Sequence, residues 1–280
     1  MLALKIKAEY HWGFWIRSPG TSKYQSTTPI PPPTTLIGAI AFPLIKRGVL
    51  KLNGRQIKGE VIKLKEGSIS SPAAVLEKYV VCASAYFDNV AVVWEDLSRY
   101  NTILFQETTK SKEDEILAGG RRYLMKYRTG GLPVGKVFYP SGVLTIAFLI
   151  DKSMGKIVDG NLENELEKTA WEMTRIGSKE SIVSITDVKL FEAELLKERE
   201  VKTKYYFPAI LGHVVEGSGT HYTEMFWSGG WGREADTRFE EYVIPGSRTP
   251  IGSELITVEL TRGKAFGIDG EILIAGEAFK

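Results

Sequence analysis

"TTPIPPPTTLIGAIAF", residues 27–42, sets a run of three prolines and two threonines before an almost unbroken apolar segment. Consecutive prolines fix φ and hold the chain extended, and the hydroxyls of Thr34 and Thr35 can satisfy the free N–H groups that open a helix. Lys46 and Arg47 stand where cations favour a C-terminus, and Gly48 suits a left-handed cap. The spacing therefore predicts a helix from Leu36 to Arg47. It has no polar face, which predicts burial beneath other elements and a kink at Gly38 and Pro43. The run is too short for a bilayer span, which takes about 20 residues.

Outward from this helix the pattern reads β-α-β-β-α-β. Residues 2–9 alternate Leu2, Leu4, Ile6 and Ala8 with Lys5, Lys7 and Glu9, the period of a half-buried strand. Tyr79–Phe87 and the continuous apolar run "VLTIAFLI" (Val143–Ile150) read as further strands, the second a central one. "NLENELEKTAWEMTRI" (161–176) puts Leu162, Leu166, Ala170, Met173 and Ile176 on one helical face, with Asn161 as cap and Gly177 as stop. "SIVSITDVKL" (Ser181–Leu190) closes the set. The class is α+β, and the order is that of a ferredoxin-like (RRM-like) domain over 1–195. Residues 196–280 read as a second, β-rich region, with "YYFPAIL", "THYTEMFWS", "SELITVEL" and "GEILIAG" as strand candidates. "SGGWGRE" (Ser228–Glu234) lacks the ending of a phosphate-binding loop and is expected to be a hairpin turn.

Charge is distributed unevenly. The chain is formally +2, with 36 basic and 34 acidic residues, yet Tyr10–Gly59 and Ile116–Ile150 contain no Asp or Glu. The first block keeps Arg17, Lys23, Lys46, Arg47, Lys51, Arg55 and Lys58, and the second Arg121, Arg122, Lys126, Arg128 and Lys136. That pattern predicts one surface facing a polyanion. No secretory signal or membrane span is visible, and a lone Cys82 excludes an internal disulfide and fits a cytoplasmic location. In "YVVCASAYF" that cysteine reads as core. Three scattered histidines and one cysteine show no metal-ligand spacing, so no metal or cofactor is expected.

The second basic block lies in an insertion at about 95–140. "AGGRRYLMKYRTGGLPVGK" (Ala118–Lys136) interleaves Arg121, Arg122, Lys126 and Arg128 with Tyr123 and Tyr127 between glycine pairs. Glycines at both ends let the piece protrude, and Arg with aromatic residues suits phosphates and stacked bases.

"STTPIPPPTTLIGAIA" (Ser26–Ala41), preceded by the loop "IRSPGTSKY" (Ile16–Tyr24), resembles the signature of the Cas five family, a subunit of type I CRISPR effector (Cascade) complexes. "TRIGSKESIVSI" (Thr174–Ile185) is similar to the glycine-basic turn that ends the second helix in that family. The likeness covers roughly residues 1–190 and looks closest to the archaeal subtype I-A branch. It implies a non-catalytic RAMP subunit that grips the 5′ handle of the crRNA and caps the backbone filament. Arg17, Lys23 and Tyr24 would close over the RNA, Thr34 and Thr35 would flank a phosphate at the helix N-terminus, and Arg175 and Lys179 would border it. The 118–136 arm would be a thumb on the guide–target duplex. Implied partners are the crRNA, the backbone and large subunits, and target DNA through that duplex; no membrane is implied.

Two other classes stay open. Some members of that family cut precursor crRNA without metal through a Lys-His pair and a Tyr; here His11, His213 and His221 are far apart and no Lys-His dipeptide exists. A ferredoxin-like interaction module without RNA is the other, if the basic blocks lie on different faces. Trp227 and Trp231 mark the C-terminal third as a candidate protein-contact region.

Overall fold

The computed structural model describes residues 1–18, 26–57, 62–63, 69–101, 129–227 and 239–276. In chain order its first half comprises β1 (Leu2–Tyr10), β2 (Gly13–Phe14), α1 (Pro33–Arg47), β3 (Val80–Phe87), β4 (Val92–Asn101), β5 (Thr129–Phe138), β6 (Gly142–Ile150), α2 (Leu162–Trp171) and β7 (Val183–Glu192). The longer C-terminal strands are β8 (Glu200–Thr203), β9 (Gly212–Val214), β10 (His221–Trp227), β11 (Phe239–Pro245), β12 (Ile256–Leu260), β13 (Lys264–Ile268) and β14 (Glu271–Ala275).

The central sheet has the order β7-β1-β6-β3, antiparallel throughout. One helix lies in the β1-to-β3 connection and the other in the β6-to-β7 connection. Leu4 and Ile6 of β1 and Ile146 and Phe148 of β6 share a core with Leu36, Ile40 and Leu44 of α1 and Leu166 and Ala170 of α2. Alternate residues Ala3, Tyr86, Ala147 and Leu149 pack instead with Tyr205, Phe266, Ile268 and Leu273 of the C-terminal part. Both faces are thus covered, which is why β6 is apolar but for Thr145, whose buried hydroxyl donates to the Asp88 carboxylate.

That double cover corrects the half-buried reading of β1. Lys5, only 8% exposed, points under the C-terminal strands, where its Nζ lies 2.9 Å from Glu271 and 3.4 Å from Asp269. The hydroxyls of Tyr86 and Tyr205 donate to the same Glu271 carboxylate at 2.6 and 2.7 Å. A buried charge is tolerated when so paired. Burial pushes the Glu271 carboxyl up, but donation from Tyr86, Lys5 and Tyr205 outweighs it and holds the group below the usual glutamate range.

Both helices differ from their expected bounds. The first begins at Pro33, with Pro32 as its N-cap and no side-chain capping bond. The second has its Asn161 cap, whose Oδ1 accepts the Asn164 N–H at 2.9 Å, but stops at Trp171 rather than Ile176. Past it the chain doubles back: Ile176 N–H donates to Ser181 O and Val183 N–H to Thr174 O, at 3.1 and 3.0 Å. Those cross-turn bonds replace the helical ones, while Met173 and Ile176 remain buried in the core.

The insertion between β3 and β6 emerges as the antiparallel pair β4–β5, with β2 added beyond β5. Val92, Val93, Leu97, Phe138 and Trp94 (60%) are exposed on it. The expected strand "YYFPAIL" reduces to Phe207–Pro208 followed by a short 3-10 turn, as a prolyl nitrogen cannot extend a ladder. Tyr206 is buried beneath β10 and β11 and donates its hydroxyl to Pro31 O at 2.9 Å, anchoring the proline run from the C-terminal side. Partly buried Cys82 turns its thiol toward Ile274 O, and burial pushes it up to about 12, which fits the core role expected of it. No helix of the described residues is long and apolar enough to cross a membrane.

Candidate functional site

The two sequence motifs meet in space. Residues 174–183 form a turn stapled onto the segment after β1: Ser178 N–H donates to Trp15 O at 3.0 Å, Trp15 N–H to Ser181 Oγ at 3.1 Å, Tyr10 Oη to Ile176 O at 3.1 Å and Trp12 Nε1 to Glu180 O at 2.6 Å. Gly177 takes φ +115° at the apex, and a Cβ there would sit 3.0 Å from both Ile16 Cγ1 and Ser181 Oγ. Glycine is what that packing requires. On the other side Thr28 N–H donates to Ile16 O and Ser18 N–H to Ser26 O, each at 2.9 Å, so the strand carrying Arg17 runs directly into the proline entry.

Between these pieces and the outer side of α1 runs a groove of about 640 Å³, lined by Arg17, Thr35, Ala39, Phe42, Arg175 and Ser178 among others. It continues along α1 into a second section of about 580 Å³ that shares Phe42 and Ile45 and ends at Lys46, Gln56 and Ile57. This corrects the fully buried reading of α1. Leu36, Ile37, Ile40, Ala41 and Leu44 face the core, whereas Thr35, Gly38, Ala39, Phe42, Ile45 and Lys46 form a second stripe at three- and four-residue spacing that floors the groove. The helix lacks a polar face because two of its faces are apolar surfaces with different tasks. Phe42 is 43% exposed, and the Arg175 guanidinium stands 5.0 Å above its ring, a cation–π contact. None of the described lining residues is Asp or Glu.

The first turn of α1 offers fewer free amides than the expected anion cradle would use. Pro32 and Pro33 have no N–H, and the Thr35 and Leu36 amides both donate to Pro32 O, at 2.9 and 3.2 Å. Thr34 and Thr35 are helical residues rather than caps. Thr35 lines the groove and Thr34 does not. Lys179 follows the groove wall and is 84% exposed, 3.9 Å from Glu180. Lys23, Tyr24, Arg121, Arg122, Tyr123, Lys126, Tyr127 and Arg128 lie outside the described residues, as do Trp231 and the 228–234 turn.

The single polyanion-facing surface is also redrawn. Arg47 is engaged by Glu165 and Glu172, each at 3.1 Å, and by Thr169 Oγ1 at 2.6 Å. Lys51 pairs with Asp159 at 2.8 Å, and Lys136 of the second block with Asp96 at 2.5 Å. Part of each basic block therefore ties elements together, while Arg17 and Lys46 of the first block line the groove with Arg175 from the 174–178 turn. Phe42 has no role in the sequence pattern beyond its apolar helix, and Gly38 reads there only as a kink point and Lys46 as a C-terminal cation of the first basic block; the signal was their common stripe on a helix without a polar face. His11 follows β1 and bonds Ser184 Oγ at 2.8 Å, while His213 and His221 lie on β9 and β10, strands of two other sheets. Among the described residues no group of three or more His, Cys, Asp or Glu is arranged to hold a metal ion.

No family model matches the chain. A protein of Saccharolobus solfataricus described as CRISPR-associated protein Cas5 3 is 31% identical over 276 residues, covering 98% of this chain and 99% of that one. A second protein of that organism, CRISPR system aCascade subunit Cas5 1, is 30% identical with the same coverage. The crystal structure of a CRISPR protein from Archaeoglobus fulgidus superposes over 99% of this chain and 100% of that one, with a TM-score of 0.58 at 23% identity, a likeness of fold.

Proposed function

Since this chain belongs to the Cas5 family of CRISPR-associated proteins, the family its two motifs resemble, we propose that it is the Cascade subunit that grips the crRNA 5′ handle without cutting it. The observation that carries this reading is the groove itself. Arg17, Thr35 and Arg175, chosen from separate motifs, line one trough with no carboxylate among its described lining residues. Cations beside an apolar floor suit a single-stranded nucleic acid, whose phosphates and base faces need both. The name aCascade subunit, carried by one relative, supports membership of an effector complex, with the crRNA, the backbone and large subunits and the guide–target duplex as partners in the cytoplasm.

The ferredoxin-like reading is supported by the β7-β1-β6-β3 order and the helix in each crossover. In the same reading the β4–β5 ladder is the stem of the thumb and the described residues after 195 are an accessory region buttressing the sheet. Exposed Val92, Trp94, Leu97 and Phe138 on that stem fit protein contacts better than the C-terminal third, where Phe226 and Tyr242 are packed with Tyr206. A non-cutting role is supported by the separation of the histidines, His11 beyond the end of β1 and His213 and His221 on two other sheets, since general acid–base chemistry needs groups within hydrogen-bond reach.

The test is binding of the purified protein to a short labelled RNA carrying the repeat-derived 5′ handle, over a salt series, with the products run on a denaturing gel. Arg175→Ala and Lys179→Ala should each lower the salt slope by roughly 0.7 log unit if each holds one phosphate of a single strand. Equal affinity for handle and scrambled RNA would refute handle recognition, and cleaved RNA would shift the assignment to a processing ribonuclease.

A further inference from the structure

Phe42 is the anomaly of α1. The helix hides Leu36, Ile37, Ile40 and Leu44 in the core, yet holds this ring at the groove's midpoint with a guanidinium above it. Beside it Gly38 leaves open space: apart from its own stretch of helix, no atom of the described residues comes within 4 Å of a Cβ placed there. The ring is therefore approachable along the helix surface.

What should cover it follows from the walls. An apolar peptide would gain nothing from Arg17, Arg175 and Lys46, and an acidic peptide would gain nothing from an aromatic floor. A nucleotide uses both, with the base on the ring and its flanking phosphates on the cations. At 1.5 Å per residue Lys46 stands about 16 Å along the axis from Thr35, which suits a short run of nucleotides rather than one small ligand.

We propose that Phe42 is the stacking platform for one unpaired base of the bound RNA, with the neighbouring phosphates held by Arg17 and Arg175 on one side and by Lys46 on the other. The inference rests on the RNA-binding reading of the groove and adds how one position is read. Stacking accepts the π-face of any base, so the position is recognised by the presence of a base and not by its identity.

A double-mutant cycle tests this on the full-length protein. One partner is Phe42→Leu, which keeps an apolar filler at an exposed site, and the other is a synthetic handle RNA made abasic at each position in turn. At one position the abasic RNA and Phe42→Leu should each weaken binding by about 5- to 150-fold, the range typical of one stacked base. Combined, they should cost no more than either alone. Phe42→Trp should retain the affinity, and exchanging the base at that position should change it little. If wild-type protein prefers the handle yet Phe42→Leu is additive with every abasic position, the platform is refuted and the handle reading stands. If wild-type protein shows no handle preference, both fall.

Discussion

Gly177→Ala isolates the turn on which the groove depends. The residue occupies φ +115°, and the added methyl would meet Ile16 Cγ1 and Ser181 Oγ at 3.0 Å and Trp15 O at 3.2 Å. A side chain forced into such backbone space costs about 1–3 kcal/mol. The Ile16 side chain can give by a few tenths of an ångström, but Trp15 O is held by the Ser178 amide at 3.0 Å and Ser181 Oγ by Ser178 Oγ at 3.0 Å. With the crowding included, the total comes to about 2–4 kcal/mol. For a chain of this size that is a fall in Tm of about 3–7 °C. If the turn yields locally instead, Arg175 leaves its place over Phe42, and handle-RNA affinity falls with little change in melting. Thermal unfolding by circular dichroism together with the RNA titration covers both routes. A variant that melts with the wild type and binds equally well would refute the claim that this turn is built around a glycine.

Two further outcomes follow from the same geometry. Gly38→Ala has open space for its methyl, so it should raise stability by about 0.5–1 kcal/mol through helix propensity while lowering RNA affinity by narrowing the floor beside Phe42; unchanged affinity would remove Gly38 from the contact surface. Glu271 has its pKa depressed in the folded state, so the stability of its ionised form is present above the unfolded value of about 4.3 and is lost as pH falls through the lower folded value. The deficit of Glu271→Gln in denaturant unfolding should accordingly be largest near neutrality and shrink below that range, and a deficit independent of pH would show that the charge is not what binds Lys5.

The parts of the fold legible in the sequence were those fixed locally. The apolar run of β6, the Asn161 cap and the Gly48 end of α1 each depend on neighbours within a few residues, and each lies where periodicity and capping chemistry put it. What sequence missed depended on cover from distant chain. Lys5 reads as a solvent-facing residue until the C-terminal strands bring Glu271 over it. Helical spacing continued through Met173 and Ile176 because both are core residues, although the backbone there already pairs with residues 181–183. At the groove the cations Arg17 and Arg175 were found through their motifs. Phe42 was not, since an apolar residue on an apolar helix carries no mark of which face meets solvent.

The groove also explains why a chain of formal charge +2 can present a cationic surface. Net charge does not set the field at a site when screening confines it to about 8–10 Å at ordinary ionic strength; what matters is which charges stand within that distance and whether they are already matched. The acids of α2 that approach α1, Glu165 and Glu172, are matched by Arg47, so they add little negative potential along the helix. The segments that wall the groove, residues 15–17, 35–45, 71–73 and 174–178, contain no carboxylate of their own. The first acid beyond them, Glu180, lies past Lys179 and lends its backbone carbonyl to Trp12. Cations such as Arg17, Arg175 and Lys46 along such a trough outweigh an even balance elsewhere. The acid-free stretch Tyr10–Gly59 is therefore informative less for the cations it carries than for the repulsion it leaves out.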